Sequence, residues 1–208
     1  MVRGYCAVLI LLVLLSFPAL ANAENYVALG TGLNLPSMDT TDSGNLELGK
    51  NPYFGGKIGH YFNDRGYNWF GLELDMYRSS PGIKQQTLPT TTNPALSGKI
   101  PGADLLVHSL AFNALVRVTG YQYKVEPYAG MGIGLNVGNI SSGTFRPEAS
   151  FAPSFNVLTG IRYYVTDKIA PFVEYKYNFA QFSWTRSHVT ADYRANLFMF
   201  GIAFHYDR

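Results

Sequence analysis

The sequence predicts an all-β chain: an eight-stranded antiparallel up-and-down barrel that crosses a membrane with its strands. Three observations carry this expectation. An export signal opens the chain, apolar and polar residues then alternate with the period of a strand, and the connections between the alternating stretches are short and long in turn.

The signal comes first. One basic residue, Arg3, precedes the apolar run from Ala7 to Leu15, and Ala21-Asn22-Ala23 forms a small-x-small site after Pro18. This is the layout of a cleaved secretory signal peptide, and the run falls short of the ~20 residues a spanning helix requires. Residues 1–23 are therefore expected to be the signal and residues 24–208 a single barrel domain. Cys6, the one cysteine, leaves with the signal, so the mature chain is expected to carry no disulfide and no cysteine metal ligand. Removing Arg3 from the 16 basic residues leaves 15 against 14 acidic ones, a balance unsuited to binding nucleic acid.

Eight strand-like segments follow, at roughly 25–35, 51–62, 68–78, 104–119, 125–139, 151–165, 169–184 and 191–206. No comparable stretch favours a helix. The connections Asn63-Asp64-Arg65-Gly66, Gly120-Tyr121-Gln122 and Thr166-Asp167-Lys168 are tight, whereas 36–50, 79–103 and 140–150 are long and rich in Ser, Thr, Pro and Gly. With an even strand number, the short turns share one end with the two termini, as in barrels with short periplasmic turns and longer external loops.

The faces of the strands point the same way. In PFVEYKYNFAQF (171–182), Val173, Tyr175, Tyr177 and Phe179 alternate with Glu174, Lys176 and Asn178. Extended to the other strands, one face carries residues such as Leu29, Phe54, Leu74, Phe112, Ile133, Val157 and Phe200. The opposite face carries Lys57, Glu73, Asp75, Arg117, Glu126, Arg162, Glu174 and Lys176, four charges of each sign. A soluble barrel would put its apolar face inside. Here the charges belong inside, because lipid cannot receive them and an unpaired buried ion is costly. Reflection through the tight turns pairs Lys57 with Glu73, Arg117 with Glu126 and Arg162 with Glu174.

Gly130, Gly132 and Gly134 of YAGMGIGLNVG share the charged face with Gly30, Gly32, Gly55 and Gly59, making room for long side chains in a narrow interior. A nucleotide-binding glycine loop does not fit, since Leu135 stands where a third glycine would fall and no helix follows. Aromatic residues cluster near both strand ends, as interfacial belts would. Phe62, Tyr67, Trp69, Tyr121, Tyr123 and Tyr164 fall at the short-turn end, and Tyr53, Tyr77, Phe151, Phe182, Trp184 and Tyr193 at the long-loop end.

On the signal ALANA, the repeated strands, PYAGMGIGLNVG (127–138), APFVEYKYNF (170–179) and the closing NLFMFGIAFHY (196–206), the chain resembles the small outer-membrane β-barrel family. That family includes the OmpA-like transmembrane domain and the OmpX- and Opa-like single-domain proteins. The resemblance implies residence in the outer membrane and a charged interior plug formed by the inward residues named above. The chain departs from the family's terminal aromatic pattern, since Asp207-Arg208 follow Tyr206.

No catalytic, cofactor or metal site is expected. His108 and Ser109 are adjacent and face opposite ways, Ser187-His188 lacks an evident acidic third member, and no cluster has metal-ligand spacing. The expectation is a non-enzymatic, monomeric barrel that displays external loops for envelope integrity, adhesion or surface recognition. Its expected partners are outer-membrane lipid and lipopolysaccharide, the outer-membrane assembly machinery, and a surface ligand reached through loops 36–50 and 79–103. The alternatives are a small porin-like pore or, less favoured, a lipid A-modifying enzyme.

Overall fold

The computed structural model describes residues 24–40, 44–63, 66–88, 98–100, 102–119, 124–141, 147–186 and 189–206. The expected signal over 1–23 lies outside the described residues, as do Tyr121, Tyr123, Ser187, His188, Asp207 and Arg208.

Twelve strands are present among the described residues. They are β1 (Glu24–Thr40), β2 (Gly44–Leu46), β3 (Asn51–Phe62), β4 (Tyr67–Ser79), β5 (Gly82–Ile83), β6 (Gln86–Leu88), β7 (Gly98–Ile100), β8 (Ala103–Arg117), β9 (Val125–Ser141), β10 (Glu148–Tyr163), β11 (Ile169–Trp184) and β12 (Val189–Tyr206). Eight of them, β1, β3, β4, β8, β9, β10, β11 and β12, pair antiparallel in sequence order. β12 then closes on β1, from Asn25 opposite Tyr206 to Thr40 opposite Ala191. Closure satisfies the backbone at both edges, which a strand structure in hydrocarbon requires.

The strands are longer than expected at the long-loop end. β1 runs on to Thr40, β9 to Ser141, and β10 begins at Glu148. The stretches 36–50 and 79–103, expected as loops, contain the short strands β2, β5, β6 and β7. β2 folds back on β1, with Met38 opposite Leu46. β6 and β7 form a separate two-stranded ribbon. Two connections are also joined to each other: Leu48 bridges Ile83, Gly49 N donates to Gly82 O at 2.8 Å, and Lys84 N donates to Glu47 O at 2.9 Å.

Along each wall strand one phase faces out and the other in, yet the polarity of the two phases inverts partway up. On lower β11, Val173 and Tyr175 face out while Glu174 and Lys176 are buried inside; on upper β11, Gln181 and Ser183 face out while Phe182 and Trp184 are buried. β12 repeats this, with Phe198 and Phe200 outward below and Asp192 and Arg194 outward above buried Ala191 and Tyr193. Where the outside is hydrocarbon the inside holds the buried ions, with Leu158, Leu197 and Met199 among them, and where the outside is polar the inside is mainly apolar and aromatic.

This inversion corrects the expected belt at the long-loop end. Phe151 does face out, 70% exposed, but Tyr53, Tyr77, Phe182, Trp184 and Tyr193 are buried in the interior, as is Tyr164 at the other end. Their phase decides it: Tyr53 shares a face with Lys57, and Phe182 with Glu174. At the short-turn end Tyr67 and Trp69 are exposed, in agreement with an interfacial position.

Candidate functional site

The interior is the candidate site, and alternation on eight strands builds it. All eight charged residues singled out in the sequence are buried and face it. They form two clusters rather than three hairpin pairs.

The central cluster surrounds Lys57. Its Nζ lies 3.1 Å from Glu73 Oε1, 3.3 Å from Asp75 Oδ2 and 2.6 Å from Glu174 Oε2. Lys176 pairs with Asp75 and lies 3.7 Å from Glu174. Tyr26 donates to Glu73 Oε2 at 2.6 Å, Asn113 Nδ2 to Glu73 Oε1 at 3.2 Å, and Tyr128 to Glu174 Oε2 at 2.9 Å. Residues of β1, β3, β4, β8, β9 and β11 therefore meet in one network.

The second cluster lies toward the short turns. Arg117 reaches Glu126 Oε2 at 3.1 Å and Glu24 Oε2 at 2.7 Å, with its guanidinium 3.7 Å above the Tyr61 ring. Arg162 reaches Glu126 Oε1 at 3.4 Å and donates to Tyr61 Oη at 2.7 Å, with the Tyr26 and Tyr128 rings 4.3 and 4.4 Å away. Rings packed against a guanidinium replace part of its lost hydration.

The pairing differs from turn reflection in register. Asp75, not Glu73, stands directly opposite Lys57, because the ladder shifts register between Tyr61 and Phe62 beside the turn. Glu73 is the diagonal neighbour and still reaches Lys57. Arg162 stands opposite Glu126 on β9, while Glu174 takes Lys57 from across the lumen.

Sequence reasoning missed several members. Glu24 and His205 are buried, with His205 Nδ1 2.7 Å from Glu24 Oε1 and its ring 5.2 Å from that of Tyr26 and 5.1 Å from that of Tyr164. His205 lies in the interior although it stands at the end of β12. Its phase with Met199, Gly201 and Ala203, all of which face inward, was the available signal. An amide layer was missed too: Asn178 accepts from Asn136 at 2.7 Å and from Tyr77 at 3.1 Å, and donates to Asn156 at 2.6 Å. Above it Asn34 donates to Ser79 at 2.7 Å and to Tyr193 at 3.1 Å. The mouth is closed by buried Met38, Leu46, Ile83, Leu105, Phe182 and Trp184.

The inward glycines leave the room these side chains use. A Cβ on Gly160 would sit 2.5 Å from the Tyr128 hydroxyl, and one on Gly55 2.7 Å from Met199 Cε. His108 is exposed on the outer wall and Ser109 is buried inside, so the two do not converge. Among the described residues no group of three or more His, Cys, Asp or Glu is placed to hold a metal. A hollow of about 930 Å3 lies on the outer wall over Leu29, Phe54, Pro171, Phe200 and Ile202, where acyl chains would cover it.

A family model described as the outer membrane protein beta-barrel domain matches residues 7–206. The chain belongs to this family. It is a small outer-membrane β-barrel protein, located in the outer membrane. Its fold is similar to that of Neisserial surface protein A (NspA), at 18% identity and a TM-score of 0.58, covering 88% of this chain and 97% of the other. It is also similar to OprG of Pseudomonas aeruginosa, at 13% identity and a TM-score of 0.56, covering 90% and 98%. A third similar barrel is Ail, the attachment invasion locus protein of Yersinia pestis, in complex with the heparin analogue sucrose octasulfate. There the identity is 16%, the TM-score 0.51 and the coverage 89% and 99%. No curated protein sequence matches the chain.

Proposed function

We propose that this protein is a closed, non-enzymatic barrel that anchors an external recognition surface in the outer membrane, in the service of adhesion, surface recognition or envelope integrity. The observation that carries this reading is an interior filled along its length. Ions meet first the Glu24, Arg117 and Glu126 cluster, then the Lys57 network, then the amide layer, then the apolar mouth. Transit would require breaking buried ion pairs and parting a hydrocarbon plug. An eight-stranded barrel has little lumen to spare for a path around them.

The recognition surface is the part of the chain above the inversion. Its joined connections around Leu48 and Ile83 hold backbone in place above the membrane, and the β6–β7 ribbon projects beside them. The stretches 36–50 and 79–103 are the candidate ligand contacts. Lipid, lipopolysaccharide and the assembly machinery are the expected envelope partners, and the protein acts as a monomer. Planar-bilayer recording of the refolded mature chain tests the closed interior. A flat current trace is expected, and reproducible single-channel steps would refute the reading in favour of a pore.

A further inference from the structure

The outer wall carries three cationic or protonatable side chains that the barrel itself does not use. Lys50 precedes β3, Arg78 lies on β4 and His108 on β8; all three are exposed and in the outward phase. Arg78 stands directly opposite His108 on one side and Phe54 on the other. Among the described residues none of the three forms an ion pair or side-chain hydrogen bond, and none is among those with further interactions. Two other cations above the inversion, Arg194 and Lys84, are held within the protein. Arg194 pairs with Asp39 and lies 3.9 Å from Asp192, and Lys84 lies 3.6 Å from Glu47.

The height of these groups is set by the strands. Outward residues on β4 are apolar from Phe70 to Met76, then comes Arg78; on β8 they are apolar from Val116 up to Leu110, then comes His108. At ~3.3 Å per residue and a tilt of ~40°, the climb from Phe70 to Arg78 is about 20 Å along the membrane normal, and from Val118 to His108 about 25 Å. An outer-membrane barrel has an apolar band about 25 Å tall. Both residues thus stand at the outer edge of the hydrocarbon. The interior agrees, because Tyr77, Ser79 and Val107 beside them mark the change from ionic to apolar filling. Asp104, an acidic residue of the same face of β8, lies farther out beyond Leu106.

We propose that Lys50, Arg78 and His108 form a docking face for the phosphorylated glucosamine lipid of the outer leaflet, lipid A. The arginine fork matches two phosphate oxygens, the lysine adds a point charge, and the histidine offers a ring N–H. Phe54, beside Arg78 in the ladder, and Leu110, the next outward residue below His108, are 67% and 45% exposed and receive the acyl chains of the same molecule. One amphiphile with its phosphate at the interface and its tails in the hydrocarbon fits both halves of the face. A soluble anion uses one.

The test titrates the refolded full mature chain in detergent with lipid A and with dephosphorylated lipid A, read by native mass spectrometry. Saturable binding of the phosphorylated form is expected, with at least about tenfold weaker binding of the dephosphorylated form, the loss expected for a charge-assisted hydrogen bond. Arg78→Gln should lose a similar factor, and Arg194→Gln, three strands away on β12, should lose none. Equal binding of the two lipids, or unchanged binding by Arg78→Gln, overturns the proposal. So does inorganic phosphate binding at the same residues as tightly as the lipid, since the acyl half would then contribute nothing. The lipid comparison uses unaltered protein, so it holds whatever the variants do to folding.

Discussion

Lys57→Met is the most informative single perturbation of the interior. Lys57 is buried and touches three carboxylates at 3.1, 3.3 and 2.6 Å. Each contact carries a gross attraction of about 5 kcal/mol at an effective dielectric of ~20, largely offset by the desolvation of both groups. Methionine removes the ammonium and keeps the bulk. Glu73, Asp75 and Glu174 then share Lys176, which reaches Asp75 and Glu174 and makes no ion pair with Glu73. Leaving a buried charge unpaired costs about 3–5 kcal/mol, and that loss is expected here. Glu73→Gln should cost less, about 1–3 kcal/mol, because Lys57 keeps two partners and only the charge-assisted bonds to Glu73 weaken. Adding Glu174→Gln to Lys57→Met should return part of the loss, with a coupling of about 1–3 kcal/mol. The assay is urea unfolding of the refolded barrel in lipid vesicles, followed by tryptophan fluorescence and by the gel shift between folded and boiled protein. Effects that add to within about 0.5 kcal/mol would refute the network, since independent sites behave that way.

Gly160→Ala should lower stability by about 1–3 kcal/mol in the same assay, because its Cβ would meet the Tyr128 ring that holds Glu174. Phe200→Arg, on the lipid face between Phe198 and Ile202, should cost about 2–4 kcal/mol, and Ser37→Arg, near the outer rim, about 0–1 kcal/mol; equal costs would place the membrane elsewhere. Replacing the β6–β7 ribbon (Gln86–Ile100) by a short turn should leave folding and the gel shift intact. Removing Gly82–Lys84 as well should expose residues 44–49 to protease, because the bonds to Gly49 and Glu47 are lost.

The phase of each wall strand could be read from its own residues. A single buried charge identifies the inner face, so Lys57 places Tyr53, Gly55 and Gly59, and Glu174 places Asn178 and Phe182. What could not be read was any relation that depends on closure. Lys57 and Glu174 lie 117 residues apart and meet across the lumen, which depends on barrel shear and strand tilt. The partner of Arg162 depended in the same way on a neighbouring ladder. The buried rings at the long-loop end were missed for another reason. Aromatic residues at a strand end suit a membrane belt and the packed core of a water-exposed cap equally well, and only the phase they share with the interior charges separates the two.

The inversion of polarity along the strands explains why one alternating sequence can specify both a membrane wall and an aqueous cap. Burial of apolar surface stabilises only where the alternative is water. Below the interface the outside is lipid, so Phe200 and Val173 lose nothing by facing out, and the interior is free to hold ions that lipid would reject. Above it the outside is water, so Phe182, Trp184 and Leu105 turn inward and Gln181, Asp192 and Arg194 turn outward. The side-chain period stays at two throughout, and only the identity of the residues changes. A slip of one residue in any wall strand would therefore fail at both levels together, driving Glu174 or Lys57 into hydrocarbon below and Trp184 into water above. The ionic network and the apolar mouth thus select the same register from opposite sides of the interface, and a barrel this narrow can rely on both because every strand passes through each.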